Sequence, residues 1–284
     1  MSNYDPAPVN LAETTASVAC RKLENSNFIE AEARVVMEKE LSVYVNGEHL
    51  LTASITPARE KEFTIGYLFG QGFIDNIEEL ESINVEGDTA KVRLKDTRKI
   101  SQRIRKTDYR IVSGGGKAVF LDEMSFSRIK NRMKIRSQEI YKAMNTVLAK
   151  ADIYKETEGV HAAGLFTPEA IPIFIAEDIG RHNTLDKVIG YALINKIDCS
   201  NTLLASTGRM ASEMVTKICR AHIPVVATKT AVTSTGLEIG QKYGLTIIGF
   251  VRDAGTRINT DMDIRTIIEP GIKIYTNAQR IFSE

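Results

Sequence analysis

Hydrophobic and polar positions change rhythm along this chain, and the changes mark its parts. Up to residue 22 the order is polar and turn-rich and predicts a flexible arm. Apolar positions then recur every second residue, first over 33–37 and then at Leu41, Val43 and Val45. That is the period of strands with one covered face. The second run ends at Asn46-Gly47, a favoured two-residue hairpin turn, and its partner strand follows over 49–55. Thr56-Pro57 reads as a helix start, with proline tolerated at the first helical position. The helix carries Phe63, Gly66, Tyr67 and Gly70 on one face, where glycine permits close packing. INVEGDTAKVRLK predicts a second hairpin turning at Gly87-Asp88. Together these elements predict a small N-terminal α+β domain over 23–105.

Beyond it the period lengthens. A helix from Ser137 places Ile140, Met144, Val147, Leu148 and Ala151 on one stripe. Short apolar runs at 171–176, 202–205, 225–228 and 245–251 then alternate with helical patterns. One helix carries Leu185, Val188, Ile189, Ala192 and Leu193, the next Met210, Met214 and Ile218, and a third follows Thr233. Strands spaced by helices need crossover connections, which implies a largely parallel sheet. This α/β core is assigned to 106–257. In the C-terminal segment, 258–284, GIKIYTNAQRI near 271–281 predicts one more strand, expected to return to the N-terminal layer.

Charge narrows the partners. Lysine plus arginine number 37 against 36 aspartates and glutamates, so no one-signed field favours nucleic acid or an acidic membrane. The three cysteines, Cys20, Cys199 and Cys219, form no CxxC pair, which argues against a zinc ribbon or a disulfide framework. No apolar run reaches transmembrane length, and MSNYDPAPVN lacks a basic-then-apolar leader pattern. The expectation is a soluble cytoplasmic protein without a metal site.

Ligands of such sheets collect where strand ends feed the next helices. At IAEDIGRHNTLDK (175–187), Asp178 could orient a histidine or grip a sugar or amine. Arg181 and His182 could add donors to an anion site, while Asn183 or Thr184 could cap the helix. The second junction sets Ser206, Thr207, Gly208 and Arg209 before a helix, with Glu213 one turn inside. It resembles a phosphate cradle without the full P-loop pattern. The third, TKTAVTSTG after Thr228, is rich in hydroxyls, and the fourth runs from Phe250 and Val251 into Arg252, Asp253, Ala254 and Gly255. Capping accounts for any one of these. Four in one sheet, with Arg181, Arg209 and Arg252 among them, predict a pocket for a polyanion such as a diphosphate. His161 reads as a polar residue near that pocket. A zinc deaminase would carry glutamate at the position of Ala163 and a cysteine pair later, and neither is present.

EDIGRHNTLDKVIG, STGRMASEMVTK, GLTIIGFVR and the earlier VNGEHLLTASITPAREKEFTIGYLFGQGFI resemble the formate dehydrogenase accessory protein family, FdhD, over about 35–280. The resemblance implies a cytidine-deaminase-like α/β core with a mixed, largely parallel sheet, plus the smaller N-terminal domain, as a homodimer. It also implies a sulfur carrier. Such a protein takes persulfide sulfur from a cysteine desulfurase and passes it to the molybdenum or tungsten bis-pyranopterin guanine dinucleotide cofactor of formate dehydrogenase. Guanosine diphosphate would mimic that ligand, which suits the polyanion pocket.

One departure stands out. The family usually carries CGxCGK in the loop before the core helix, and a cysteine there bears the persulfide. Here the loop is Val112, Ser113, Gly114, Gly115, Gly116 and Lys117. A serine oxygen holds no persulfide. Two readings therefore stand: a sulfurtransferase with altered sulfur chemistry, or a non-catalytic chaperone that keeps the cofactor pocket without sulfur transfer.

Overall fold

Residues 15–22, expected in a flexible arm, instead form a long two-stranded ribbon with 23–36. Helix α1 (Leu11–Thr14) is capped by the Asn10 side chain, which accepts from the Ala12 N–H, and leads into β1 (Thr15–Glu24). β1 pairs antiparallel with β2 (Asn27–Val36) through ten rungs. The turn contains no glycine. Asn25 and Ser26 both take left-handed backbone angles, φ 49° and 66°, and asparagine is among the residues that tolerate them. The computed structural model describes residues 9–96, 110–111, 117–118, 126–130, 133–252 and 271–283.

The next elements follow the expected pattern. β3 (Lys39–Val45) and β4 (Glu48–Ile55) join at Asn46 and Gly47, φ 51° and 89°, as a two-residue hairpin requires. Helix α2 (Glu60–Gly70) starts later than the sequence suggests: Thr56 and Pro57 precede it, and Arg59 caps it in a left-handed conformation, φ 62°. β5 (Leu80–Glu86) and β6 (Thr89–Leu94) form the second hairpin, and the four strands assemble in the order β4-β3-β6-β5. Leu41, Val43 and Val45 alternate into the core at 1 % exposure or less, which is what holds the register.

The short strands β7 (Arg110–Ile111) and β8 (Lys117–Ala118) pair with each other, and β9 (Ile135–Arg136) pairs with a later strand. Helix α3 (Ser137–Lys150) is the one expected from Ser137, and α4 (Asp152–Thr157) follows it. Then come β10 (His161–Phe166), β11 (Pro172–Asp178) and helix α5 (Arg181–Ile194). β12 (Leu203–Ser206), helix α6 (Ser212–Arg220), β13 (Val225–Thr228), helix α7 (Ser234–Tyr243) and β14 (Thr246–Arg252) supply the predicted alternation. β15 (Gly271–Ile274) and β16 (Ile281–Phe282) complete the order, β16 beside β9.

The largest sheet runs β11-β10-β12-β13-β14-β15, with β12, β13 and β14 parallel and β15 antiparallel to β14. The fold is thus mixed α/β, as the pattern of strands and helices implies. The terminal strand departs from expectation: 271–274 pairs with β14 rather than with the N-terminal layer.

The chain forms two compact units that interleave along the sequence. One takes the described residues up to 118 together with Leu148–Ala163 and Phe174–Ile197. The other takes those of Ser125–Val147, Gly164–Ile173 and Asp198–Glu284. Sequential boundaries at 105 and 257 do not describe this division, because α5 packs in the first unit. The cause is local and steric. A β-carbon built on Gly66 would lie 1.8 Å from the Asp186 carbonyl oxygen, and one on Gly190 would lie 1.8 Å from that of Glu62. α2 and α5 therefore meet backbone to backbone, and only glycine fits at either point.

Candidate functional site

The 175–187 motif builds a buried polar node in the first unit. β11 ends on Asp178, which has no exposed surface. Its Oδ1 accepts from the Gly180 N–H at 2.9 Å and from Asn183 Nδ2 at 2.8 Å. Its Oδ2 accepts from the Thr56 N–H at 3.1 Å and pairs with Lys187 Nζ at 2.6 Å, that ammonium being equally buried. Lys187 also donates to the carbonyls of Thr56 (3.2 Å) and Glu177 (3.1 Å), and the Ile179 N–H donates to Thr56 Oγ1. Two charges withdrawn from water need this many partners to be tolerated.

This network revises several residue roles. Helix α5 begins at Arg181 with Gly180 as its cap, so Asn183 and Thr184 lie inside the first turn. Asn183 folds back instead, donating to Ser54 O as well as to Asp178. A β-carbon on Gly180 would stand 2.7 Å from Asn183 Nδ2 and would push the amide off both acceptors. Thr56 does not cap α2, because its backbone and hydroxyl are engaged with 178–187. Sequence reasoning read Thr56 only as a helix start and gave Lys187 no role. The available signal was Lys187 itself, a lysine inside a helical stretch whose other positions from Thr184 to Ala192 are buried.

His161 opens β10. Burial, joined by the Arg181 guanidinium, pushes its imidazole below the usual histidine range, against the opposing pull of Asp178. His161, Asp178 and Arg181 thus share one electrostatic environment, and at neutral pH the ring is uncharged. On the neighbouring strand position, Glu177 accepts from the N–H groups of Ile153 (3.1 Å) and Tyr154 (2.7 Å) at the start of α4. Burial nonetheless pushes its carboxyl up.

The second unit gathers the other junctions. Ser206 and Thr228 lie side by side at the ends of the parallel strands β12 and β13. Beyond them the two loops continue as neighbours: the Lys229 N–H donates to Ser206 O, the Met210 N–H to Ala231 O, and the Thr233 N–H to Met210 O. Hydroxyls read as a ligand wall fasten these loops together. Ser206 Oγ accepts from the Gly208 N–H (3.1 Å), Thr228 Oγ1 donates to Gly208 O (2.7 Å), and Thr233 caps α7. Ala211 is the cap residue of α6, and Glu213 lies in its first turn, where a negative charge opposes the helix dipole favourably.

What remains open to a ligand is cationic. Arg209 is exposed and makes no ion pair among the described residues. Arg252 Nε donates to Lys229 O at 3.4 Å, and its guanidinium lies 5.5 Å from the Phe250 ring. Phe250 takes a left-handed conformation, φ 57°, within a register shift between β14 and β15. Strain at a non-glycine residue beside a bulge is a common mark of a working surface. Phe250 through Arg252 thus stand with the 206–209 and 228–233 loops, whereas His161, Asp178, Arg181, His182 and Asn183 belong to the first unit. Asp253, Ala254 and Gly255 lie outside the described residues, as do Val112 through Gly116. On either side of that last stretch β7 and β8 pair, with Arg110 opposite Ala118 and Ile111 opposite Lys117.

The FdhD/NarQ family model matches residues 36–282. The chain belongs to this family. Among its relatives, a sulfur carrier protein FdhD of Saccharolobus solfataricus is 33 % identical over 229 residues, covering 80 % of this chain and 81 % of that one. The protein of the same name from Sulfurisphaera tokodaii is 31 % identical, covering 84 % and 94 %. The crystal structure of a protein described as a formate dehydrogenase accessory protein, from Desulfotalea psychrophila, superposes with a TM-score of 0.74 over 95 % of this chain and all of the other. At 22 % identity that likeness speaks for the fold. No helix among the described residues is long and apolar enough to cross a membrane.

Proposed function

We propose that this protein serves the maturation of formate dehydrogenase, holding the molybdenum or tungsten bis-pyranopterin guanine dinucleotide cofactor and assisting its sulfuration. The family match over 36–282, with relatives named as sulfur carriers, is the observation that carries the reading. The donor set suits the ligand. The guanosine diphosphate moieties bring two phosphates each, and the loops of the second unit offer Arg209 and Arg252 as guanidinium partners and Phe250 as an aromatic face. The cofactor would supply the metal whose ligand sphere receives sulfur; the chain's own part is to bind and orient its nucleotide ends. The partners in this reading are a cysteine desulfurase, formate dehydrogenase and a second copy of the chain, in the cytoplasm.

A second reading, a cofactor-holding chaperone without sulfur transfer, has its own support. Burial pushes the thiols of Cys199 and Cys219 up to about 12, so neither forms the thiolate that accepts sulfur at neutral pH. Cys20 lies far in sequence from the SGGGK loop. Mass spectrometry of the full chain after incubation with a cysteine desulfurase and cysteine separates the two. An added sulfur of about 32 Da on Cys20 supports transfer. An unmodified chain that still activates formate dehydrogenase supports the chaperone.

Binding is tested by calorimetry with guanosine diphosphate. Arg209→Ala is expected to weaken affinity by about tenfold, the loss of one charge-assisted contact. Unchanged affinity in both Arg209→Ala and Arg252→Ala would remove the nucleotide from the proposal.

A further inference from the structure

Between Glu123 and Glu139 the chain has no acidic residue, and five cations stand at every second position: Arg128, Lys130, Arg132, Lys134 and Arg136. Over 126–150 seven lysines and arginines face one glutamate, in a chain whose net charge is +1. Arg132 lies outside the described residues. Among the others exposure follows the same period: Arg128, Lys130, Lys134 and Arg136 are exposed, whereas Ile129, Met133 and Ile135 are buried. All belong to the second unit, and none to the loops assigned to the nucleotide.

Among the described residues little offsets this charge. Glu139 pairs with Arg136 at 3.4 Å and lies 3.5 Å from Lys142. Lys134 donates to the Gln279 carbonyl, which is neutral. Arg128, Lys130 and Lys134 make no ion pair with a described residue. Burial, joined by Arg128, holds Arg280 below the usual arginine range, the response of a cation to a field of its own sign. Most runs of like charge are solvated tails, but this one is fixed on folded backbone. The Ile129 N–H donates to Tyr243 O, and β9 pairs with β16 on one side, its other edge carrying no strand among the described residues. Phe282 stands beside Arg136 across that pair and is 43 % exposed.

We infer that this edge docks an extended acidic segment of another protein, with carboxylates at alternate positions. Cations two residues apart on a strand repeat every ~6.8 Å, and so do alternate side chains of an added strand. A segment hydrogen-bonded along β9 sets every second residue on the cation face, as cross-strand partners of opposite charge. Phe282 gives it an apolar foothold among the charges. Nucleic acid would answer the charge but has no peptide backbone with which to extend β9. Exposed ion pairs add little each, so the complex is weak and salt-dependent. The inference rests on no part of the proposed function.

Fluorescence anisotropy with the full chain tests it, the probe being a labelled peptide of about eight residues alternating glutamate and valine. A block peptide of the same composition and a single-stranded RNA of the same charge are the comparisons. The alternating peptide is expected to bind at least about fivefold tighter than either, and Lys130→Glu with Lys134→Glu to weaken it at least about tenfold. Lys91→Glu with Arg93→Glu is the control: these exposed cations also alternate, but on β6, which β3 and β5 flank on both sides. That pair should leave binding unchanged. Independently of any variant, methylating the peptide's backbone nitrogens should abolish binding to the wild-type chain. Equal binding of the block peptide, or tolerance of methylation, overturns the strand pairing and with it the inference. Tighter binding of RNA overturns a protein segment as the occupant. Affinity unchanged by the Lys130 and Lys134 substitutions, or no binding of the alternating peptide, overturns the site.

Discussion

Asp178 and Lys187 show how a residue that looks catalytic in sequence can be structural in space. Each is enclosed, and each holds the 54–59 loop against the start of α5 through several hydrogen bonds. Removing one partner leaves the other charge buried, which costs about 3–5 kcal/mol. Lys187→Met should fall at the lower end, because Asp178 keeps three donors. Asp178→Ala should fall at the upper end, because it strands the ammonium and three N–H donors at once. Urea unfolding of both variants checks the order. His161 provides a pH test. Free histidine protonates near about 6.5, and the folded ring does so lower, so between those values the unfolded chain binds the extra proton. Its stability contribution is complete above the usual value and is lost as pH falls through it, levelling off below the folded value. His161→Gln should remove that slope, and an imidazole NMR titration should place the native midpoint below the usual one. Among these residues, the concentration of chemistry in 175–187 was legible in sequence. The fact that Asp178 faces inward was not, since its partner Thr56 lies 122 positions away.

Among the elements, those with a strong local signal were legible: the Asn46-Gly47 hairpin, the 137–150 helix, the 225–228 strand and the Thr233 cap all form where period and turn chemistry place them. The ribbon was not, although β1 and β2 do alternate small apolar and polar residues. A turn of Asn25 and Ser26, without glycine, hid it. The α2–α5 crossing was half visible. Gly66 lay on a face read as close-packing, but Gly190 sat in an ordinary helical stripe, and only their meeting explains both. Gly190→Ala should improve helix propensity by up to about 1 kcal/mol, yet overpacking costs about 1–3 kcal/mol and here involves backbone that cannot yield. The net outcome expected in thermal denaturation is a lower midpoint, with Ala192→Gly, a cavity rather than a clash, serving as the contrasting variant.

For the whole molecule, thiol accessibility is the informative property. Cys219 is fully buried, and the Cys199 thiol is held protonated, whereas Cys20 lies on the ribbon. Brief alkylation of dilute native chain should therefore modify Cys20 alone, with Cys199 and Cys219 reacting only after denaturation. Peptide mass mapping reads this directly. Early modification of Cys199 would reopen it as a sulfur acceptor.

Sequence alone was enough for the α/β class, the family, the hairpins at Asn46-Gly47 and Gly87-Asp88 and the loops where chemistry concentrates, because period, turn residues and motif order are properties of neighbouring positions. Tertiary structure decided which polar groups face inward, where α5 belongs, and that the 271–274 strand joins β14. Those outcomes depend on groups far apart in the chain, and on steric contacts such as Gly66 against Asp186 that no local pattern encodes.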